Sequence, residues 1–299
     1  MRHRTIFLFA AGLILLSLAG CSAAETSVPG QDSGESPEEA DSPHAGEESE
    51  SLPRIHPSFD LNLPKLRALL EDQPSLVQES VLERPEYFLE LINQALRLPE
   101  WALVLVDKIH GLPEDYAPSD LVDLKDYDLS LNRNTLQLSR ACMPAVLAMT
   151  EAARIDGIEL VFSSTYRPYE YQKRLYENYV AKYGQEEADR FSARPGTSQH
   201  QLGTTMDFGS ITPEFGDTEA GRWLYEHAWE YGFSLSYPEG YEEITGYMFE
   251  IWHYRYITTT GTRLERQFFG GIQQYMTEFL HRHGEYLREK TDPLPGQNQ

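Results

Sequence analysis

Residues 198–210 read SQHQLGTTMDFGS and place His200 and Asp207 seven positions apart, with Gly203 between them. An imidazole and a carboxylate are both side chains that zinc accepts as ligands, and a glycine lets the chain bend between them. A hydrolytic zinc site needs three protein ligands and one open coordination position. The segment therefore raises the hypothesis of a metal centre whose third ligand lies elsewhere in the chain.

The best candidate for the third ligand is His253, in the segment FEIWHYRY at residues 249–256. Glu250 lies three residues before it and is a candidate general base, which takes a proton from water and returns it to the leaving amine. Strict strand alternation would put Glu250 and His253 on opposite faces, so the hypothesis requires the backbone to break or bulge between them. On spacing alone, ordinary core or surface histidines remain an alternative explanation.

The chain begins MRHRTIFLFAAGLILLSLAGC, in which two arginines precede an apolar run and small residues precede Cys21. This order is typical of a secretory signal, and the apolar run is shorter than the about 20 residues that a membrane-spanning helix needs. The LAGC end resembles the bacterial lipobox, so we expect Cys21 to be the lipidated N-terminus of the mature protein. We expect the protein outside the cytoplasm, in contact with a membrane through this lipid anchor only. Cys142 then has no partner and is expected to be a buried free thiol.

The rest of the chain divides by composition. Residues 22–56 carry nine carboxylates against the single basic Arg54, which predicts a disordered acidic tether. Residues 57–99 show a helical pattern with regularly placed prolines, which predicts a helical extension. Residues 100–290 mix helical and strand patterns and form the predicted catalytic domain, followed by a flexible tail at residues 291–299.

Three apolar or alternating runs predict strands: ALVLVDKIH at 102–110, IELVFSSTY at 158–166 and YMFEIWHYRYI at 247–257. Helices are predicted at about 134–154, 168–183, 219–231 and 262–288. Because these elements show no regular βαβ rhythm, the predicted fold class is α+β. The net charge of -22 excludes nucleic acid as a partner, and no protein partner can be inferred.

Between residues 100 and 280, four ordered segments resemble the VanY-type D-alanyl-D-alanine carboxypeptidases of the LAS zinc peptidases. SQHQLGTTMD is similar to the family's SxHxxGxxxD segment, and EIWHYRY to its ExWH segment. SSTYRPYEYQKRLY resembles the SxYR stretch followed by glutamine, and WEYGFSLSYPEGYEEITGY resembles the YGF…YP…ITGY stretch. The resemblance implies a LAS/hedgehog-like fold, in which helices flank a small antiparallel sheet.

The resemblance also implies a role for each matching residue. It implies that His200, Asp207 and His253 are the zinc ligands and that Glu250 is the catalytic base. It places Arg167 in the substrate pocket as the partner of an oxyanion or a carboxylate, and it implies that Gln172 and Ser198 line the place of the C-terminal D-residue. A planar guanidinium suits a carboxypeptidase, because such an enzyme must recognise a free carboxylate.

Three positions depart from the family's pattern: Thr205 stands for an alanine, Ile251 for a proline and Ser236 for an arginine. None removes a ligand or the base, but they leave the exact substrate preference open. We expect a zinc-dependent D-alanyl-D-alanine carboxypeptidase that removes the C-terminal D-alanine from peptidoglycan stem peptides. The alternatives are an L,D-carboxypeptidase or endopeptidase on the same peptides, or a non-catalytic cell-wall-binding lipoprotein. Retention of Glu250 beside all three ligands counts against a pure binding protein.

Overall fold

A computed structural model describes residues 52–291. The predicted signal peptide with Cys21, residues 22–51 of the predicted tether and residues 292–299 lie outside the described residues. The helices are α1 (Leu63–Leu69), α2 (Ser75–Glu83), α3 (Pro85–Ala95), α4 (Glu100–Leu103), α5 (Met143–Ile155), α6 (Tyr169–Tyr183), α7 (Gln185–Phe191), α8 (Glu219–His227), α9 (Glu242–Thr245), α10 (Thr258–Phe268) and α11 (Gln273–Glu289). The strands are β1 (Leu121–Asp123), β2 (Ser130–Leu131), β3 (Gln137–Ser139), β4 (Val161–Ser164), β5 (Thr205–Phe208), β6 (Phe233–Leu235) and β7 (His253–Tyr256).

The central feature is a five-stranded sheet with the order β2-β4-β5-β7-β6. Neighbouring strands are antiparallel except for β2 and β4, which are parallel. Strands β1 and β3 form a separate antiparallel pair. The α+β class and the small, mainly antiparallel sheet predicted from the sequence are therefore confirmed. Between residues 52 and 291, the structure contains no helix with the length and apolarity that a membrane crossing requires.

One hydrophobic core lies between the sheet and α5. Phe162, Met206 and Phe208 from the sheet are fully buried there, as is Met149 from α5. Cys142 lies in the same core as a free thiol, and burial raises the pKa of this thiol to about 12. The prediction of a buried, unreactive cysteine is confirmed, because a thiol with that pKa is protonated at neutral pH.

A second core joins the N-terminal helices to the C-terminal ones. Phe88 of α3 lies 5.2 Å from Phe268 of α10 and 5.7 Å from Phe279 of α11, measured between ring centroids. The helical extension thus shares its apolar face with α10 and α11. Burial of this face removes apolar surface from water, which stabilises both groups of helices together.

Arg255 connects this helical layer to the central sheet. The side chain leaves β7, is fully buried, and donates from Nη2 to the carbonyl oxygens of Trp101, Ala102 and Val104. These carbonyls lie in α4 and just after it. A buried cation with several carbonyl partners is compensated for part of its lost hydration, so the contact fixes this segment against the sheet.

The structure corrects two predicted strands and two predicted helices. Of the run at 247–257, only His253–Tyr256 is a strand. Residues 102–110 are not a strand: α4 ends at Leu103 and irregular chain follows. Three of the carbonyl groups at 101–104 accept from Arg255 instead of from a neighbouring strand. The predicted helix at 134–154 begins only at Met143, because Gln137–Ser139 pairs with β1. The predicted helix at 262–288 is two helices, separated at Gly270 and Gly271, whose positive φ angles of 63° and 75° end α10.

The remaining helix predictions agree with the structure. Residues 169–183 form α6, and residues 219–227 form α8, followed by a 3-10 turn to Tyr231.

The predicted tether boundary at residue 56 falls inside folded chain, since the Ile55 N–H donates to the carbonyl of Leu61 and His56 lies 3.1 Å from Glu90. Ile55 is the reason: its apolar side chain packs on the second core.

The buried carboxyl of Glu265 in α10 makes the stability of the folded protein depend on pH. Burial raises the pKa of Glu265 from 4.5 to about 7, while the Ser234 hydroxyl donates to its carboxyl at 2.8 Å. The folded state therefore holds this proton more tightly than the unfolded chain, and the free energy of unfolding falls as pH rises from 4.5 through about 7. We expect Glu265→Gln to abolish this loss and to stabilise the protein at pH 8 by about 1 to 3 kcal/mol.

Urea unfolding of the soluble domain at pH 5 and pH 8 measures the effect. Glu285→Gln, at an exposed position, is the control for the change in net charge. A Glu265→Gln protein with the same dependence of unfolding on pH as the parent would contradict the assignment.

Candidate metal centre and active site

His200, Asp207 and His253 converge on one point. His200 lies on a 3-10 turn (Gln199–Leu202), Asp207 on β5 and His253 at the first residue of β7. All three are buried, and one potential ligand atom from each lies within 4.8 Å of the others. Nε2 of His200 is 3.2 Å from Oδ2 of Asp207, and Nδ1 of His253 is 3.1 Å from Oδ1.

Local geometry explains this convergence. Asp207 and His253 are paired residues in the β5-β7 ladder, so their side chains share one face of the sheet. Gly203 ends the turn that carries His200, with φ of 70°, in the left-handed region. A Cβ at this position would lie 2.7 Å from Cγ of Pro118, so only glycine fits the bend without a shift.

The hydrogen bonds leave one nitrogen of each imidazole for a metal. Nδ1 of His200 donates to the carbonyl of Thr165 at 2.8 Å, which leaves Nε2 with a lone pair. Nε2 of His253 donates to Oε1 of Gln199 at 3.3 Å, which leaves Nδ1. Nε2 of His200 and Oδ1 of Asp207 are buried without a hydrogen-bond partner in the described chain. Such orphaned polar atoms are costly unless an ion satisfies them.

The spacing of these atoms fits zinc. Ligands about 2.0 to 2.2 Å from a tetrahedral zinc ion are separated by about 3.3 to 3.6 Å from one another. The two His–Asp contacts, 3.2 Å to Oδ2 and 3.1 Å to Oδ1, are made with different oxygens of Asp207, and each is slightly shorter than these separations. Two imidazoles and one carboxylate leave a fourth position open, as hydrolytic zinc sites require.

The charge states suit metal binding as well. Burial, reinforced by the nearby Arg167 guanidinium, lowers the pKa of His200 to about 4, so this imidazole is neutral at pH 7. Burial alone would raise the pKa of Asp207, but the imidazoles of His200 and His253 outweigh burial and hold that pKa well below its usual range. His200 and Asp207 therefore offer a neutral nitrogen and an ionised oxygen as donors at neutral pH.

Glu250 lies beside the three residues but outside β7. The His253 N–H donates to the Glu250 carbonyl, so the chain turns here and the strand begins only at His253. The break that the sequence hypothesis required is confirmed. Oε2 of Glu250 lies 3.4 Å from Nδ1 of His253. Burial, followed by the charge of Asp207, raises the pKa of Glu250 well above its ordinary value.

Arg167, Gln172 and Ser198 line the same cavity, whose volume is about 420 Å³. Nη1 of Arg167 donates to Oε1 of Gln172 at 3.0 Å, and Nε2 of Gln172 donates to the carbonyl of Ala193 at 2.7 Å. Ser198 accepts from the His200 N–H and so also caps the turn that carries His200. All seven residues that the sequence analysis places in the site line this one cavity.

The sequence analysis missed a buried amide network behind His253. Oε1 of Gln199 accepts from His253 and, at 2.7 Å, from the Ser236 hydroxyl. Nε2 of Gln199 donates to Gln273 of α11, which in turn donates to Ser236. The network holds the imidazole of His253 in the tautomer that leaves Nδ1 free. Its members come from distant segments, and the sequence analysis singled out only Ser236 among them, as a departure from the family's pattern.

Known proteins share this arrangement of segments. The family model described as VanY: D-alanyl-D-alanine carboxypeptidase matches residues 135–259. The Bacillus subtilis (strain 168) protein YodJ is 37% identical over 172 residues, which are 55% of this chain and 63% of YodJ. The Enterococcus gallinarum protein VanXYC, named a bifunctional D-Ala-D-Ala dipeptidase and D-Ala-D-Ala carboxypeptidase, is 32% identical over 165 residues, which are 52% of this chain and 83% of VanXYC.

Among solved structures, the LD-carboxypeptidase LdcB, described for its recognition of peptidoglycan, is 31% identical with a TM-score of 0.54. That match covers 64% of this chain and 87% of the LdcB chain. The chain spans 63% of the length of YodJ and 59% of the length of two enterococcal relatives. The similarity therefore concerns the segment that holds the metal centre.

Gln199 provides a test of the metal centre that is independent of catalysis. We expect Gln199→Ala to weaken zinc binding by about 10- to 100-fold, because His253 loses the acceptor that orients its ring. Zinc affinity is measured by competition with a chromophoric chelator. Gln274→Ala, which removes a buried amide that bonds to Asp107 and Glu278, is the control and should leave zinc affinity unchanged. Equal affinities of parent and Gln199→Ala would contradict the role of this amide.

Proposed function

The chain belongs to the VanY family of D-alanyl-D-alanine carboxypeptidases, and from this membership we propose that it is a zinc metallopeptidase acting outside the cytoplasm. Its proposed reaction removes the C-terminal D-alanine from peptidoglycan stem peptides. The observation that carries the proposal is the convergence of a His–Asp–His group, a buried carboxyl and an arginine in one cavity.

Zinc held by His200, Asp207 and His253 would supply a Lewis acid that polarises the scissile carbonyl and promotes ionisation of water. The rest of the reaction depends on side chains of the cavity. Arg167 is placed to bind an anionic oxygen of the substrate, since its Nη1 is tied to Gln172 and its Nη2 lies 3.8 Å from Oδ2 of Asp207. We assign the C-terminal carboxylate to Arg167, with Gln172 and Ser198 beside the departing D-alanine.

Glu250 is the proposed general base. Its carboxylate accepts the proton of the attacking water and then returns it to the nitrogen of the departing D-alanine. Burial favours the protonated carboxyl, whereas the Arg167 guanidinium favours the ionised one. The net effect raises the pKa of Glu250, which favours the protonated carboxyl that returns the proton to the departing amine.

The alternatives from the sequence analysis are less well supported. The family model and VanXYC both name D-Ala-D-Ala as the substrate element. LdcB is an LD-carboxypeptidase, so the similarity of this chain to LdcB is a reason to test L,D specificity as well. A non-catalytic binding protein would have no need of a buried carboxyl beside the metal ligands.

We also propose that Cys21 carries a lipid and holds the enzyme at a membrane. The signal-like residues 1–20 and the LAGC sequence support this anchor. The acidic segment after Cys21 would then space the catalytic domain from the membrane, within reach of an insoluble polymer.

The decisive test of the function uses Glu250→Gln. This change keeps the shape of the side chain and removes the proton acceptor, so we expect D-alanine release from a stem pentapeptide to fall by about 10²- to 10⁴-fold while zinc content stays equal to the parent. Exposed Glu243→Gln is the matched control. Mass spectrometry of pentapeptide and tetrapeptide digests, with and without chelator, separates D,D from L,D cleavage. Turnover by Glu250→Gln within tenfold of the parent would rule out this base.

The anchor has a separate test. Cys21→Ser is expected to move the protein from the membrane fraction to the soluble fraction, because it removes the acylated thiol. Zinc content should not change. Immunoblotting of fractionated cells measures the distribution, and unchanged membrane retention of Cys21→Ser would refute the anchor.

A further inference from the structure

Two arginines, Arg133 and Arg167, line the cavity of the metal centre, and different elements of the fold hold them. Arg167 is tied through Gln172 to α6. Arg133 follows β2 and donates from Nη2 to the carbonyl of Ser163 in β4 at 3.1 Å. Both guanidinium groups therefore face the same volume as the metal ligands, but from separate supports.

The support of Arg133 is rigid. The N–H of the preceding residue, Asn132, donates to the carbonyl of Phe162, which continues the parallel pairing of β2 with β4. Ser163 stands directly before Ser164, the residue of β4 that pairs with Asp207. The anchor of the Arg133 guanidinium is thus fixed relative to the metal ligands by the sheet itself.

Arg133 has no acidic partner within residues 52–291. The carbonyl of Ser163 is its one side-chain hydrogen bond there, and no carboxylate of the described chain lies within 4.0 Å of it. The two carboxyl groups of the cavity, Asp207 and Glu250, both lie close to imidazoles instead. The side chain is exposed, and a guanidinium has five N–H donors, so most of them are free to bind an anion.

We propose that Arg133 binds a second carboxylate of the substrate, on a residue that precedes the scissile bond. This inference rests on the proposed function and narrows its substrate class to peptides with a free carboxylate besides the C-terminal one. A planar guanidinium suits such a group, and its positive charge offsets the repulsion between an acidic protein and an anionic peptide. Stem peptides carry such a carboxylate at two places: the α-carboxyl of γ-linked D-glutamate and the side-chain carboxyl of diaminopimelate.

Four synthetic pentapeptides, L-Ala-γ-D-Glu-X-D-Ala-D-Ala, separate these two sources. X is meso-diaminopimelate or L-lysine, and the glutamate α-carboxyl is free or amidated in each. The specificity constant kcat/KM for D-alanine release is measured for the parent, Arg133→Ala, Arg133→Lys and Arg282→Ala. Arg282 pairs with Asp72 outside the cavity, so its removal controls for a general loss of positive charge.

Arg133→Ala is expected to lower kcat/KM by about 3- to 10-fold on the peptides that carry the recognised carboxylate. It should leave the lysine peptide with amidated glutamate unaffected, and the peptides that respond identify the carboxylate. Arg133→Lys should recover part of the loss, because it keeps the charge without the planar fork. An equal loss on all four peptides, or no loss on any, would overturn the assignment.

Calorimetric binding of the same four peptides distinguishes failure of this inference from failure of the proposed function. If the parent releases D-alanine from none of them, the proposed reaction is wrong. Arg133 is then judged by affinity alone: a carboxylate preference that disappears in Arg133→Ala supports the second subsite, and equal affinities for all four peptides refute it.

Discussion

The site depends on a buried carboxylate that lies between two buried imidazoles. Asp207 approaches His200 with one oxygen and His253 with the other. Removing three polar side chains from water is unfavourable, and the protein leaves Nε2 of His200 and Oδ1 of Asp207 without a hydrogen bond of their own. A bound cation would satisfy these atoms. Part of the free energy lost in burying them would therefore be regained when a metal ion binds. Metal binding and stability are therefore coupled in this protein.

The helical layer takes part in holding the site. Gln273 of α11 bonds to both Gln199 and Ser236, and Gln199 orients His253. Arg255, two residues after His253 on β7, donates to carbonyls in α4 and just after it. The segment at 101–104 and α11 thus support the strand that carries a metal ligand, and the helical extension packs against α10 and α11.

The charge of the cavity differs from that of the whole chain. The protein carries a net charge of -22, yet two guanidinium groups line the cavity that holds the metal ligands. An anionic peptide is repelled by the acidic surface and attracted by these local cations, whose effect extends over about 8 to 10 Å at physiological salt. If Arg133 and Arg167 bind carboxylates as proposed, the geometry of the arginines and not the net charge selects the substrate, which favours specificity over speed of encounter.

The sequence by itself predicted the residues that converge in the cavity and the α+β class, because zinc accepts few kinds of side chain and because four segments resemble the VanY-type carboxypeptidases. It also predicted the break between Glu250 and His253, since a strand cannot present both to one point. Tertiary structure alone decided the rest. The apolar run at 102–110 contains the end of α4 and irregular chain, with Arg255 bonding the carbonyls of Ala102 and Val104, and Gln273 supports His253 from 20 positions beyond it in the chain. Such contacts join segments with no shared pattern, so local periodicity carries no trace of them, and only the packed fold brings their polar groups within hydrogen-bonding distance.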